Sequence, residues 1–123
     1  MSNLPPKGLT GLARIVAAAG YSRDGFIAAF RGEAAFRQVL ALAAVLIVVA
    51  CFCPVTAGER ALMIAVCLLS LIVELFNSAI EAVVDRISAE RHPLSKNAKD
   101  MGSAAQFVAL ALIAAVWGVI LLG

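Results

Sequence analysis

Glu74, Asn77, Ser78, Glu81 and Asp85 are the residues of this chain whose types and spacing could do chemistry. They recur at i, i+3, i+4, i+7 and i+11, which places them on one face of a helix. The surrounding segment is apolar and long enough to cross a bilayer. A carboxylate inside such a span costs roughly 2.5–3.5 kcal/mol on insertion scales. Two carboxylates on one face therefore need a partner, a proton, a cation or a water-filled cavity. A packing or oligomerisation device would use them one way. An ion path or a catalytic site at the membrane surface would use them another.

The sequence narrows the chemistry further. It holds no GxxxxGK[ST] loop and none of the soluble protein-kinase signatures. With one His, and with cysteines not spaced for zinc, it is a poor candidate for a transition-metal site. What remains is an oxygen-ligand site. Mg²⁺ suits such a site, since it takes one or two carboxylates together with substrate phosphates. Arg14, Arg91 and Lys99 could neutralise phosphate charge. A deeper carboxylate could accept a proton from an alcohol. These parts fit phosphoryl transfer, which needs positioning, cations and a base more than covalent chemistry. A proton or ion pathway would draw on similar residues, so residue types leave both open.

The elements that must position these groups are membrane helices. The chain has 123 residues, 63% of them hydrophobic, with a mean hydropathy of +0.97. Soluble domains average about 45–50% apolar residues, so lipid must be part of this chain's solvent. Three candidate spans run over 34–53, 61–84 and 103–122. Each is long enough, at about 30 Å as helix, to cross the hydrocarbon core. In lipid the backbone must satisfy itself, and the Ala and Leu content selects helix over barrel. Lys7, Arg14, Arg23, Arg31 and Arg37 precede the first span, and Arg86, Arg91, Lys96 and Lys99 lie between the second and third. Only Arg60 falls in the first loop. This asymmetry predicts a cytoplasmic N-terminus and an external C-terminus. The net charge of +2 follows topology and offers no nucleic-acid patch. Glu74 then lies deeper than Glu81 by seven residues, or about 10.5 Å.

Other segments carry less. Residues 1–7 read as a frayed tail. Residues 9–19 read as a short amphipathic helix for the membrane interface, with Leu12, Ile15, Val16 and Ala19 on one side. The run from Gly20 to Gly25 is expected to break or bend it, and a second segment from Phe26 to run on into the first span. The first 30 residues lack a continuous h-region and a small-residue cleavage site, so the first span reads as uncleaved. Thr56 or Gly58 is expected to cap the second helix, Pro93 to end it, and Ser95 to cap the third. Cys51, Cys53 and Cys67 read as small buried hydrophobes, since Cys51 and Cys53 stand about 200° apart on a helix. Without repeats or low-complexity stretches, the chain reads as one unit.

Four stretches carry a resemblance. They are Glu33-Ala-Ala-Phe-Arg-Gln38, Glu74-Leu-Phe-Asn-Ser-Ala-Ile-Glu-Ala-Val-Val-Asp85, Ala98-Lys-Asp-Met-Gly-Ser-Ala104 and Arg14-Ile-Val-Ala-Ala-Ala-Gly-Tyr-Ser22. Taken in their order along the chain, and with the three-span layout, they make the chain resemble the small integral-membrane bacterial diacylglycerol kinases.

The resemblance implies an all-α fold, a surface helix plus three spans, assembled as a homotrimer in the bacterial inner membrane. It implies transfer of the ATP γ-phosphate to the hydroxyl of diacylglycerol, giving phosphatidic acid. By motif position, Glu33 and Glu81 would hold Mg²⁺, Glu74 would be the general base, and Asn77 would support it. Nucleotide contacts would come from Arg14, Tyr21, Glu33, Glu81, Glu90, Arg91, His92, Lys99 and Asp100. Lipid contacts would come from Arg14, Ala18, Ala19, Arg23, Ala35, Phe36, Glu74, Ser103 and Trp117.

Bland alternatives stand beside some of these roles. Asp85 could pair with Arg86 at the surface, His92 could be a solvated loop residue, and Trp117 could be an interfacial belt residue. Gly102 and Ser103 would allow close helix contact, and Gln106 could hydrogen-bond between helices. The chain departs from the family pattern at Arg23, where an aromatic residue is common, and in the loop from Arg91 to Asn97. An undecaprenol kinase and a non-catalytic or proton-conducting oligomer are the competing functions.

Overall fold

In a computed structural model that describes residues 10–123, the elements are four helices: α1 (Gly11–Gly32), α2 (Ala34–Phe52), α3 (Ala57–Ile87) and α4 (Pro93–Leu122). The tail over 1–7, Lys7 included, lies outside the described residues. Helices α2, α3 and α4 are each long and apolar enough to cross a membrane. α3 packs between α2 and α4, and α1 packs only on α2 among the larger contacts.

The packing follows a heptad-like alternation of three and four residues. α2 buries Phe36, Val39, Ala43 and Ala50. α3 buries Met63, Cys67, Ser70, Glu74 and Asn77 on its seam. α4 buries Gly102, Gln106, Ala109 and Ile113. Such seams favour nearly parallel or antiparallel helix axes and small residues at the contact. The opposite faces present Val45, Val48, Leu62, Ile72, Phe107 and Val108, the apolar exterior that lipid requires.

Helix lengths set the levels. The 19-residue α2 is about 28 Å long, which matches the hydrocarbon core. The 31-residue α3 and 30-residue α4 run to about 45 Å, so roughly 15 Å of each emerges on one side. That side carries Arg31, Arg37, Arg86, Arg91, Lys96 and Lys99 and is called the basic end below. The opposite, or turn, end holds the short connection between α2 and α3.

The turn end is tied. Thr56 caps α3, its hydroxyl accepting from the Glu59 amide at 3.1 Å while the Glu59 carboxylate accepts from the Thr56 amide at 2.9 Å. This reciprocal cap fixes the helix start and places it four residues ahead of the apolar run. Arg60 donates to the carbonyls of Ala50 (3.0 Å), Cys53 (2.9 Å) and Val55 (3.4 Å). These carbonyls belong to the last turn of α2 and the connection that follows it, so one side chain ties α3 to the turn.

Two expectations are corrected at the basic end. α1 does not break at Gly20–Gly25. It runs unbroken to Gly32, with the Ser22 hydroxyl donating to the Ala18 carbonyl at 3.0 Å as helix interiors allow. Gly costs only about 1 kcal/mol against Ala in a helix, too little to end one alone. The break falls instead at Glu33, whose extended backbone (φ −129°, ψ 110°) separates α1 from α2. Arg37 donates to the freed Phe30 carbonyl at 2.6 Å, and the Phe26 and Phe36 rings pack across the corner at 6.3 Å. The second correction concerns α4. It starts at Pro93 with His92 as its cap, Nδ1 accepting from the Leu94 amide at 3.1 Å. Proline lacks the N–H that a first helical position leaves unpaired, so it starts this helix well. α3 has already ended at Ile87, before Pro93 can act.

Of the cysteines, Cys67 is buried as expected, Cys53 is half-buried and Cys51 is exposed. Cys51 lies on the apolar face of α2.

Candidate active site

Glu74 sits on the α3 seam, 3% exposed, where the apolar residues of the turn half give way to polar ones. Asn77 follows one turn nearer the basic end, buried at 9% exposure, with its amide within reach of the Glu74 carboxylate. Glu81 is half-buried a further turn along, and Asp85 is exposed. The charges that bear on Glu74 are those of Glu81 and Glu33. Glu33 reaches this neighbourhood because the corner between α1 and α2 leaves it half-buried at the head of α2. Three carboxylates therefore share one region. Among the described residues, no three His, Cys, Asp or Glu side chains converge closely enough to hold a metal by themselves. A pair of carboxylates with hard oxygen donors still fits Mg²⁺, which completes its sphere with water and phosphate.

Above this region, the α3–α4 connection lines an open cleft of about 620 Å³. Glu90, Arg91, His92, Lys99 and Asp100 all line it, as do Asp85 and Lys96. Five of the predicted nucleotide contacts thus meet in one place. Lys99 pairs with Asp85 at 2.7 Å and Lys96 with Asp100 at 2.6 Å. Asp85 therefore pairs across to α4, not with its neighbour Arg86. Lys99 also feels the Glu81 charge, which joins the cleft to the carboxylate region. Arg91, Lys96 and Lys99 give the cleft the cations a polyphosphate needs. His92 spends Nδ1 on its cap and leaves Nε2 for a ligand.

Several predicted contacts lie apart. Arg14, Ala18, Ala19, Tyr21 and Arg23 are exposed along α1, and none lines the cleft. Arg23 pairs locally with Asp24 at 3.3 Å. Ala35 and Ser103 are exposed, and Ser103 lies beside the buried seam residue Gly102. Phe36 is a core residue, 1% exposed. It also closes an apolar groove of about 460 Å³ between α1 and α2, with Phe26, Ile27, Phe30, Arg31 and Leu40. Trp117 lies toward the turn end, donating to the Met63 carbonyl at 3.2 Å. That is about 16 Å along α3 from Glu74 at 1.5 Å per residue.

Sequence reasoning gave no site role to Lys96 or to the groove residues Ile27 and Leu40. The spacing of Phe26, Phe30 and Phe36 was a signal for the groove. Lys96 had one too, lying four residues before Asp100 on a helix.

Three apolar helices that bury a carboxylate below a cation-lined, water-facing cleft define an integral membrane protein with a site suited to phosphate. The sequence profile of prokaryotic diacylglycerol kinases matches residues 20–121, and the chain belongs to that family. It is 72% identical, over all of both chains, to a diacylglycerol kinase of Pseudomonas aeruginosa. It is 50% identical to a diacylglycerol kinase of Escherichia coli K12, covering 91% of this chain and 92% of that one. It is 44% identical to one from Helicobacter pylori J99, covering 94% and 89%.

Proposed function

We propose that this chain transfers the γ-phosphate of ATP to the free hydroxyl of diacylglycerol, giving phosphatidic acid at the cytoplasmic face of the inner membrane. The observation that carries the proposal is the depth order on α3. Glu74 is buried on the seam of a candidate span, while Glu81 and the basic cleft lie toward the polar end of the same helix. A lipid alcohol and a water-borne nucleotide approach from opposite sides of such a gradient.

The chemistry then divides by depth. Glu74 takes the proton of the lipid hydroxyl. The freed oxygen forms a bond to the γ-phosphorus, the bond from that phosphorus to the bridging oxygen breaks, and ADP leaves with the electron pair. Lys99 and Arg91 hold phosphate charge, and Lys99 must exchange Asp85 for phosphate to do so. Asn77 orients Glu74. Glu33 and Glu81 would hold Mg²⁺, which supplies charge neutralisation on the phosphates when bound. Arg14 and Tyr21 of α1 would close over the nucleotide. The apolar groove beside Phe36 would take acyl chain, and Ala18, Ala19, Arg23, Ala35, Ser103 and Trp117 would line the lipid path.

The basic end is cytoplasmic by its charge, and the assembly is a homotrimer by family resemblance. Family membership removes the support for a non-catalytic oligomer.

The test is transfer from labelled ATP in mixed micelles with diacylglycerol, undecaprenol or no lipid, with and without Mg²⁺. Labelled phosphatidic acid that requires both diacylglycerol and Mg²⁺ is the expected result. Preference for undecaprenol would overturn the acceptor, and no transfer from an assembled oligomer would overturn the enzyme.

A further inference from the structure

Gln106 is the one polar residue in the buried seam of α4, at 8% exposure. Neither its amide nitrogen nor its oxygen has a hydrogen-bond partner, and the same holds for Asn77 Oδ1 and Ser78 Oγ on α3. Buried polar groups left unpaired are costly, and native structures hold few of them. Each of these atoms is already covered within a single chain, so a second subunit packed on the outside does not reach them.

The register of α3 against α4 says what Gln106 faces. The helices are antiparallel, and two contacts fix their alignment. Trp117 bonds the Met63 carbonyl at one end. At the other, Gly102 packs so tightly on Asn77 that a Cβ there would collide with Asn77 Oδ1. Between these points, Gln106 falls level with Val73 and Glu74. Of that pair, Glu74 is the one on the buried seam. The chain thus places an unpartnered, buried amide beside the level of its deepest carboxylate, on the neighbouring helix.

We propose that Gln106 is a positioning residue for Glu74. Its amide, together with Asn77 Oδ1, holds enclosed water that hydrogen-bonds the Glu74 carboxylate and fixes its orientation toward the lipid hydroxyl. A site walled by two to four polar partners is what an enclosed water requires. The carboxylate is then held from two helices, by Asn77 on α3 and by Gln106 on α4. The inference rests on Glu74 being the base.

Gln106→Leu keeps the side-chain volume and removes the polar atoms. It is expected to lower kcat about tenfold, the effect of losing one hydrogen bond that acts in the transition state. KM for MgATP and for lipid should stay within about twofold, because the interaction acts in the transition state and not in ground-state binding. Thermal stability should change little, because the water-mediated hydrogen bond that is lost is offset by apolar packing of Leu in the seam. A structural role predicts the opposite, a less stable protein with unchanged turnover per folded molecule. Gln106→Asn draws the amide back by one methylene and should fall between Leu and wild type. If Gln106→Leu does not assemble, Gln106→Asn decides.

Wild-type kcat in the assembled Leu variant, or in the Asn variant where Leu fails to assemble, would overturn the proposal. In a Glu74→Gln background, Gln106→Leu should cost nothing further, and an undiminished additional loss would also overturn it. Wild-type turnover in Glu74→Gln alone would instead remove the base assignment, so the two failures are distinguishable.

Discussion

The turn half and the basic half of the helical bundle are built from the same seam and treat polar atoms in opposite ways. In the turn half, polar groups that enter the helix packing are paired. Arg60 takes three carbonyls, Thr56 and Glu59 cap each other, Ser70 donates to the Cys67 carbonyl at 2.7 Å, and Trp117 reaches Met63. In the basic half, Asn77, Ser78 and Gln106 keep buried atoms without partners around Glu74. Pairing stabilises the first region. The second leaves buried polar atoms without a protein partner, a cost that functional sites commonly carry. The fold thus pairs its polar groups at one end and leaves several without protein partners at the other.

Substitutions in each half should separate stability from turnover. The largest effect is expected from Glu74→Gln, which removes the proposed base and should lower kcat by about 10²–10⁴-fold. Steady-state kinetics on the assembled protein measures it. A loss of less than tenfold would make Glu74 one more packing residue. Gly102→Ala drives a methyl into Asn77 and should cost about 1–3 kcal/mol as overpacking does, with turnover falling too because Asn77 moves. Reversible unfolding in detergent, read with activity, checks both. Arg60→Ala removes three charge-assisted hydrogen bonds between α3 and the α2–α3 turn and should cost about 1–3 kcal/mol. Its kcat per folded molecule should match wild type, and a changed kcat would blur the division between the halves. The smallest effect is expected from Trp117→Phe, which deletes one hydrogen bond, about 1 kcal/mol, with activity retained. A large loss of lipid affinity in that variant would tie Trp117 to the lipid path and extend the site to the turn end.

Much of this division was legible in the sequence, because membrane helices write their constraints locally. Backbone satisfaction forces helix, length forces the span, and polar residues within it mark a site. The spacing from Glu74 to Asp85 therefore gave directly the face of α3 on which the proposed site residues lie. The motifs added the α3–α4 corner, where Glu90, Arg91, His92, Lys99 and Asp100 line one cleft. Helix boundaries were harder. The run from Gly20 to Gly25 carries a local breaking signal that helix continuation overcomes, while the real break at Glu33 depends on Arg37 reaching back to Phe30. His92 over Ser95 as cap, and Lys99 over Arg86 as partner of Asp85, are likewise settled by how the chain turns. The pairing of Gln106 with the level of Glu74 needs the register between helices. No periodicity within either helix contains that information.

The most direct test of the depth order is equilibrium binding of MgATP to assembled Glu74→Gln and Glu81→Gln. Glu74→Gln should bind as wild type does, because the proposed partner of its carboxylate is the lipid alcohol. Glu81→Gln should lose the Mg²⁺-dependent part of the affinity. Lost nucleotide affinity in Glu74→Gln, or full Mg²⁺-dependent binding in Glu81→Gln, would contradict the division of roles along α3.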